Sequence, residues 1–220
     1  MPVPELGPGL ARPGKIICVG RNYRDHAEEM DNPVPERPLL FQKPVSAVIG
    51  PGEPIRLPGE SDEVEHEAEI GVVVGRRLSR ADEEEARAAV AGVTCVNDVT
   101  ARDLQRTESQ WARAKGFDSF CPVGPRLHAL RDPDAWRELE VRCRVNGEER
   151  QSGRAADMAF GLPAVLSYVS RAITLEPGDL VATGTPSGVG PLRPGDRVEV
   201  EVSGVGVLRN PVEERSGAGS

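Results

Sequence analysis

Lysine is nearly missing from this chain. Of 27 basic residues only Lys15, Lys43 and Lys115 are lysine. Arginine is therefore the default cation, and each lysine is a candidate for a role that needs a compact charge with a shiftable pKa. The plainer reading is that a biased composition leaves three. Aromatic residues are also scarce, at 4 %, and no apolar run approaches membrane-spanning length. Positive charge is not in excess. A net charge of −8 argues against nucleic acid or an anionic membrane surface as the main partner. It leaves room for a small anionic substrate, because a metal or a few local cations can reverse the field inside one pocket. The cysteines Cys18, Cys95, Cys121 and Cys143 form no C-x-x-C pair, and no secretory signal peptide is expected ahead of them. Buried free thiols and a cytoplasmic location are expected. No 20–50-residue repeat is visible.

What is abundant is Gly (24) and Pro (20) in 220 residues, a mix that favours turns and short strands over a helical bundle. The expected organisation is an irregular N-terminal arm over 1–14, one catalytic domain over 15–212 and a disordered tail over 213–220. Within the domain, helices are expected over Ala81–Val90, with Ser79 at its start, and over Leu162–Ile173, where Pro163 is tolerated in the first turn. Asn146-Gly147 predicts a hairpin with a primed turn. Pro177-Gly178-Asp179 and Pro194-Gly195-Asp196 are matching turns, each before a short strand.

The stretch that draws attention is Glu63-Val64-Glu65-His66-Glu67-Ala68-Glu69-Ile70, followed by Gly71-Val72-Val73-Val74-Gly75. A period of two predicts one strand with all four glutamates on one face. Such a ladder entering an apolar run needs a counter-charge, and a hard divalent cation with oxygen ligands supplies one. A solvated edge strand, charged against aggregation, is the competing reading. Glu67 and Glu69 are the better ligand pair because they adjoin the buried run. Asp98, at the end of another predicted strand, completes a three-carboxylate set suited to Mg²⁺ or Mn²⁺, with Ca²⁺ as an alternative. Zinc would want His or Cys in paired spacing, and neither occurs.

His26 and Glu29 are i and i+3 on a predicted short helix. They fit either a base and the carboxylate that orients it or a solvent-facing helical pair. That segment carries few apolar residues and is expected to be mobile without ligand. The loop Gly184 to Gly190 lacks the Gly-Lys-Ser/Thr of a phosphate loop. Its N–H groups and Thr185 fit a carboxylate as well as they fit a plain turn.

Six motifs occur in one order: Arg21-Asn22-Tyr23 with His26 and Glu29; Phe41-Gln42-Lys43-Pro44; Glu67-Ala68-Glu69-Ile70-Gly71; Asn97-Asp98-Val99-Thr100-Ala101-Arg102-Asp103-Leu104-Gln105; Lys115-Gly116-Phe117-Asp118; and Gly184-Thr185-Pro186-Ser187-Gly188-Val189-Gly190. With them the chain resembles the short form of the fumarylacetoacetate hydrolase family. The resemblance implies an α+β, mostly β fold, a rolled and layered mixed sheet with a few flanking helices, usually as a homodimer. It implies a Mg²⁺ or Mn²⁺ site on Glu67, Glu69 and Asp98. His26 and Glu29 match the family's water-activating dyad, and Lys115 the lysine that assists at the substrate oxygen. Arg21, Arg102, Gln105 and Thr185 match substrate-holding positions, with packing as the other reading for Arg21. The expected activity is C–C hydrolysis of a β-diketo acid of the acylpyruvate or fumarylpyruvate type. The alternatives are oxaloacetate-type decarboxylation or isomerisation of a 2-hydroxyhepta-2,4-diene-1,7-dioate in aromatic catabolism. A non-catalytic binding protein comes last, because His26, Glu29 and Lys115 are all present.

Overall fold

Seven consecutive buried residues, Ala68 to Val74, form the central strand and set the frame. Ile70, Val72 and Val74 point to one apolar cluster, and Val73 points to another. A strand buried on both faces reads as a continuous apolar run, and this one does. Gly71 lies on the same side as Glu69 and Val73. A Cβ there would come within 2.5 Å of Val96 Cγ2, so only glycine lets the neighbouring strand close over the core.

The computed structural model of the chain describes residues 5–214. Its largest sheet is mixed and seven-stranded, in the order Leu39–Lys43, Ile16–Gly20, Leu180–Ala182, Ala68–Val74, Val90–Asn97, Cys121–His128, Val48–Ile49. Leu180–Ala182 runs parallel to Ile16–Gly20 and antiparallel to the central strand. A five-stranded sheet, Glu148–Arg154, Glu140–Val145, Arg197–Val202, Gly206–Glu214 and Ile55–Leu57, packs on one face. Its inner residues alternate cleanly: Val141, Cys143 and Val145 on one strand, Val198, Val200 and Val202 on the next. They share one core with Ile70, Val72 and Val74. The opposite face carries Ile16, Cys18, Val96, Cys121 and Val123, partly covered by Leu6 and Leu10 of the hairpin Glu5–Gly7/Leu10–Ala11. The expected rolled, layered, mostly β architecture is what forms.

The flanking helices differ in detail from the sequence expectation. The first of the two helices expected above covers Glu83–Ala88, not Ala81–Val90. Asp82, rather than Ser79, caps it, accepting the Glu85 N–H while Glu85 reaches back to the Asp82 N–H. That reciprocal pair sets the helix start three residues later than Ser79. The other covers Leu162–Ser170. Asn146 (φ 55°) and Gly147 (φ 86°) make the primed turn of the predicted hairpin. In the N-terminal arm the described part contains the short hairpin, and Glu213 and Glu214 of the expected tail extend the last strand. Residues 1–4 and 215–220 lie outside the described residues. No described helix is long and apolar enough to cross a membrane. All four cysteines are free and buried.

The glutamate stretch is not one strand. Val64–His66 belongs to a separate three-stranded sheet with Thr100–Ala101 and Gly190–Pro191, while Ala68 begins the central strand. The break falls at Glu67, whose N–H donates to Asn97 Oδ1 at 3.0 Å and whose carbonyl accepts from Asp98 N at 2.8 Å. The strand hands over at Glu67, so the four carboxylates meet four different environments.

A candidate metal and acid–base centre

Glu63 is half-exposed and pairs with Arg106. Glu65 pairs with Arg102 Nε at 2.7 Å. Glu67 is buried and takes three partners: Arg102 Nη2 at 2.6 Å and Thr100 Oγ1 at 3.1 Å on Oε1, and Lys115 Nζ at 2.9 Å on Oε2. Glu69, buried next to it, accepts the Gly184 N–H at 2.8 Å. Asp98 stands just past the end of Val90–Asn97, fully buried, with Lys115 Nζ at 2.7 Å from Oδ2 and Lys43 Nζ at 2.5 Å from Oδ1. One oxygen from each of Glu67, Glu69 and Asp98 lies within 4.8 Å of the others. Three buried carboxylates thus converge with three buried cations, Lys43, Lys115 and Arg102.

The electrostatics divide the carboxylates. Burial alone would raise Glu67, but the Lys115 ammonium and the Arg102 guanidinium outweigh it and hold Glu67 well below the usual carboxylate range. Glu69 makes no ion pair among the described residues. Burial, then the neighbouring Asp98 and Glu67 charges, push it well above that range. Burial opposes the charge of Lys115, yet Asp98 and Glu67 keep its pKa above the ordinary lysine value. Three hard oxygen donors, one of them short of positive charge, match the ligand chemistry of a small divalent cation.

His26 sits on the short helix Arg24–Glu29, nearly buried, with Nδ1 3.1 Å from Glu29 Oε2. Asp25 does not cap this helix: Tyr23 is the N-cap residue, and Asp25 accepts instead from the His26 N–H and from Ser187 Oγ. Glu29 Oε1 accepts the Gly188 N–H at 2.9 Å. Tyr23 and Ala27 anchor the inner side. The Asn22 amide group bridges the carbonyls of Thr183 and Phe160. Polar ties to the loop 183–190 hold a segment that has little apolar area of its own.

His26, Glu67, Glu69, Asp98 and Lys115 all line one cavity of about 270 Å³. Arg21, Arg102, Gln105 and Thr185 line it too. Arg102 is committed to Glu65, Glu67 and Gln105 Oε1. Thr185 donates its hydroxyl proton to Ala68 O and accepts from Gln151 Nε2, so it ties the glycine loop to the central strand. Arg21, in the left-handed region at φ 56°, makes no ion pair among the described residues and is the uncommitted cation of the wall. The loop N–H groups do meet carboxylates, but those of Glu69 and Glu29.

Two contributors, Gln151 and Trp111, were not singled out from the sequence, and a third, Lys43, was flagged only by rarity. Lys43, in a quoted motif, had no assigned role; its rarity and its parity with Leu39 and Phe41 were the available signals. Gln151 holds His66, the Ala68 N–H, Thr185 and the Pro186 carbonyl together, and nothing local marked it. Trp111 stacks edge-on against Phe41 at 5.4 Å and supplies the apolar side of the cavity.

The chain matches the family described as Fumarylacetoacetate (FAA) hydrolase C-terminal over residues 15–213. It is 44 % identical over 215 residues to oxaloacetate tautomerase FAHD2A, mitochondrial, of Bos taurus, covering 92 % of this chain and 68 % of the relative. Among solved structures it is similar to a 5-carboxymethyl-2-hydroxymuconate delta-isomerase from Mycobacterium smegmatis, at TM-score 0.86 and 43 % identity, covering 93 % of this chain and 80 % of that one. It is also similar to a 2-hydroxyhepta-2,4-diene-1,7-dioate isomerase from Mycobacterium marinum, at TM-score 0.85 and 40 % identity, covering 93 % and 76 %.

Proposed function

The chain belongs to the fumarylacetoacetate hydrolase family, and from that membership we propose a divalent-metal-dependent enzyme that moves a proton at the carbon beside the keto group of a small α-keto diacid. Keto–enol interconversion or double-bond isomerisation is the reaction class. The observation that carries this reading is that one small cavity holds a carboxylate triad and a glutamate-backed histidine. The relatives named as tautomerase and isomerases support proton transfer over C–C hydrolysis, which the motifs alone had placed first.

Glu67, Glu69 and Asp98 would hold Mg²⁺ or Mn²⁺. The bound ion would supply a Lewis acid and an anchor for the keto acid's paired oxygens. The protein's own groups do the rest. Arg21 offers a guanidinium to the distal carboxylate. Lys115 donates toward the substrate oxygen on which negative charge develops. His26 carries the proton, and Glu29 holds the imidazole's orientation and stabilises its charged form. Phe41 and Trp111 keep one wall dry.

A second reading, hydrolysis of an acylpyruvate, draws on the same dyad: His26 would take a proton from water instead of carbon. A homodimer belongs to the proposal as well, checked by light scattering. The reaction is tested by following enol-oxaloacetate and acetylpyruvate side by side, with and without Mg²⁺. Metal-dependent loss of the enol supports tautomerisation. Cleavage of acetylpyruvate alone moves hydrolysis ahead.

A further inference from the structure

Lys43 Nζ lies 2.5 Å from Asp98 Oδ1 and 3.0 Å from the Val99 carbonyl, and both side chains of the ion pair are wholly buried. The other Asp98 oxygen, Oδ2, accepts from Lys115. Lys115 and Asp98 reach the cavity; Lys43 is not among its lining residues. It comes from the edge strand of the seven-stranded sheet. Its strand, Leu39–Lys43, pairs with Ile16–Gly20, and Lys43 stands opposite Ile16, a member of the apolar cluster that also holds Cys18 and Cys121. Pro44 follows and ends the strand.

We infer that Lys43 is a positioning residue that restricts Asp98 to one ligand oxygen and so tunes the centre to a small octahedral cation over Ca²⁺. This rests on the metal reading above. Lys43 does not line the cavity, so it would act on a bound ion only through Asp98. Lys115, on Oδ2, lines the cavity and has Glu67 as a second acceptor to turn to, whereas a buried ammonium with no cavity to turn into is not released without leaving an unpaired charge in the interior. Oδ1 is thereby withheld, and the grip on the Val99 carbonyl keeps the strand end from turning. Mg²⁺ takes six ligands in strict geometry, whereas Ca²⁺ takes six to eight and commonly draws both oxygens of a carboxylate. Withholding one oxygen costs Ca²⁺ a ligand and costs Mg²⁺ none. In a chain that uses arginine nearly everywhere, a compact ammonium suits a slot with one carboxylate oxygen and one carbonyl; a guanidinium is planar and larger.

The test is Lys43→Met, titrated calorimetrically with Mg²⁺ alone and with Ca²⁺ alone after chelator treatment, beside the wild type. The expected result is a shift of the Mg²⁺/Ca²⁺ affinity ratio toward Ca²⁺ by about tenfold or more, in protein whose unfolding remains cooperative. A ratio within about twofold of wild type overturns the inference while leaving the metal reading intact. Failure of the wild type to bind either ion overturns both. Should Lys43→Met not fold, a Ca²⁺-soaked crystal of the wild type decides. Asp98 bound through one oxygen with Lys43 still on Oδ1 supports the inference, and Asp98 bound through both overturns it.

Discussion

His26 Nδ1 stands 3.1 Å from Glu29 Oε2, and the other oxygen of that glutamate accepts the Gly188 N–H. The histidine is thus oriented by a carboxylate that the glycine loop itself holds. Gly188 has φ +96°, and a Cβ there would come 1.9 Å from the Arg150 carbonyl oxygen, so the loop can approach this closely only as glycine.

From this relay His26→Ala is expected to lower kcat for keto–enol interconversion by about 10²–10⁴, the usual share of general acid–base catalysis. Glu29→Gln keeps a hydrogen bond but not the charge, and its loss should be smaller. The double variant should fall little below His26→Ala, because the two act as one unit. Steady-state rates on enol-oxaloacetate check this. A double variant that loses the product of the two single effects would show independent roles.

Lys115 bridges Glu67 and Asp98 while lining the cavity. Lys115→Met is expected to lower kcat by about 10²–10³ without weakening Mg²⁺ binding, since the amine donates to the same oxygens that an ion would use. Kinetics and calorimetry on the same preparation separate the two effects. Lys115→Arg should not restore turnover, because a guanidinium is larger and planar where the buried slot between Glu67 and Asp98 is filled by a compact ammonium.

Much of the centre was legible where the signal was local. Glu67 and Glu69 were marked by alternation beside an apolar run, Asp98 by its place at a strand end, and His26 with Glu29 by helical spacing. The break at Glu67 was not legible, because side-chain parity continues across it. The bonds from its N–H to Asn97 Oδ1 and from the Asp98 N–H to its carbonyl mark the change of sheet. Long-range ties escaped for the same reason. Ser187 and Gly188 hold Asp25 and Glu29 across 162 and 159 residues, and Lys43 meets Asp98 across 55. Rarity flagged the lysine, but no local pattern encodes a partner brought in by sheet order. The expected mobility of the 24–29 helix was argued from its small apolar area, an argument that leaves those polar ties out.

The buried thiols give the fold an alkaline limit. Burial pushes Cys95 and Cys143 from 9.0 up to about 12. These acids have folded pKa values above their unfolded ones, so the unfolded chain releases its protons first. Their contribution is intact below pH 9 and is lost as pH rises from 9 toward 12. Each thiol steepens that decline by up to about 1.4 kcal/mol per pH unit. Urea unfolding at pH 9, 10 and 11 should show the fall, and Cys143→Ala should flatten it. An equal slope in the variant would contradict the assignment.

The most direct measurement follows proton exchange at the methylene carbon of oxaloacetate by NMR in D₂O, together with acetylpyruvate cleavage in the same sample. It is run with Mg²⁺, with chelator, and with Glu69→Gln. The account predicts exchange accelerated only in the Mg²⁺-loaded wild type, lost on chelation and in the variant, with cleavage much slower than exchange. Exchange that survives chelation, or cleavage without accelerated exchange, would contradict it.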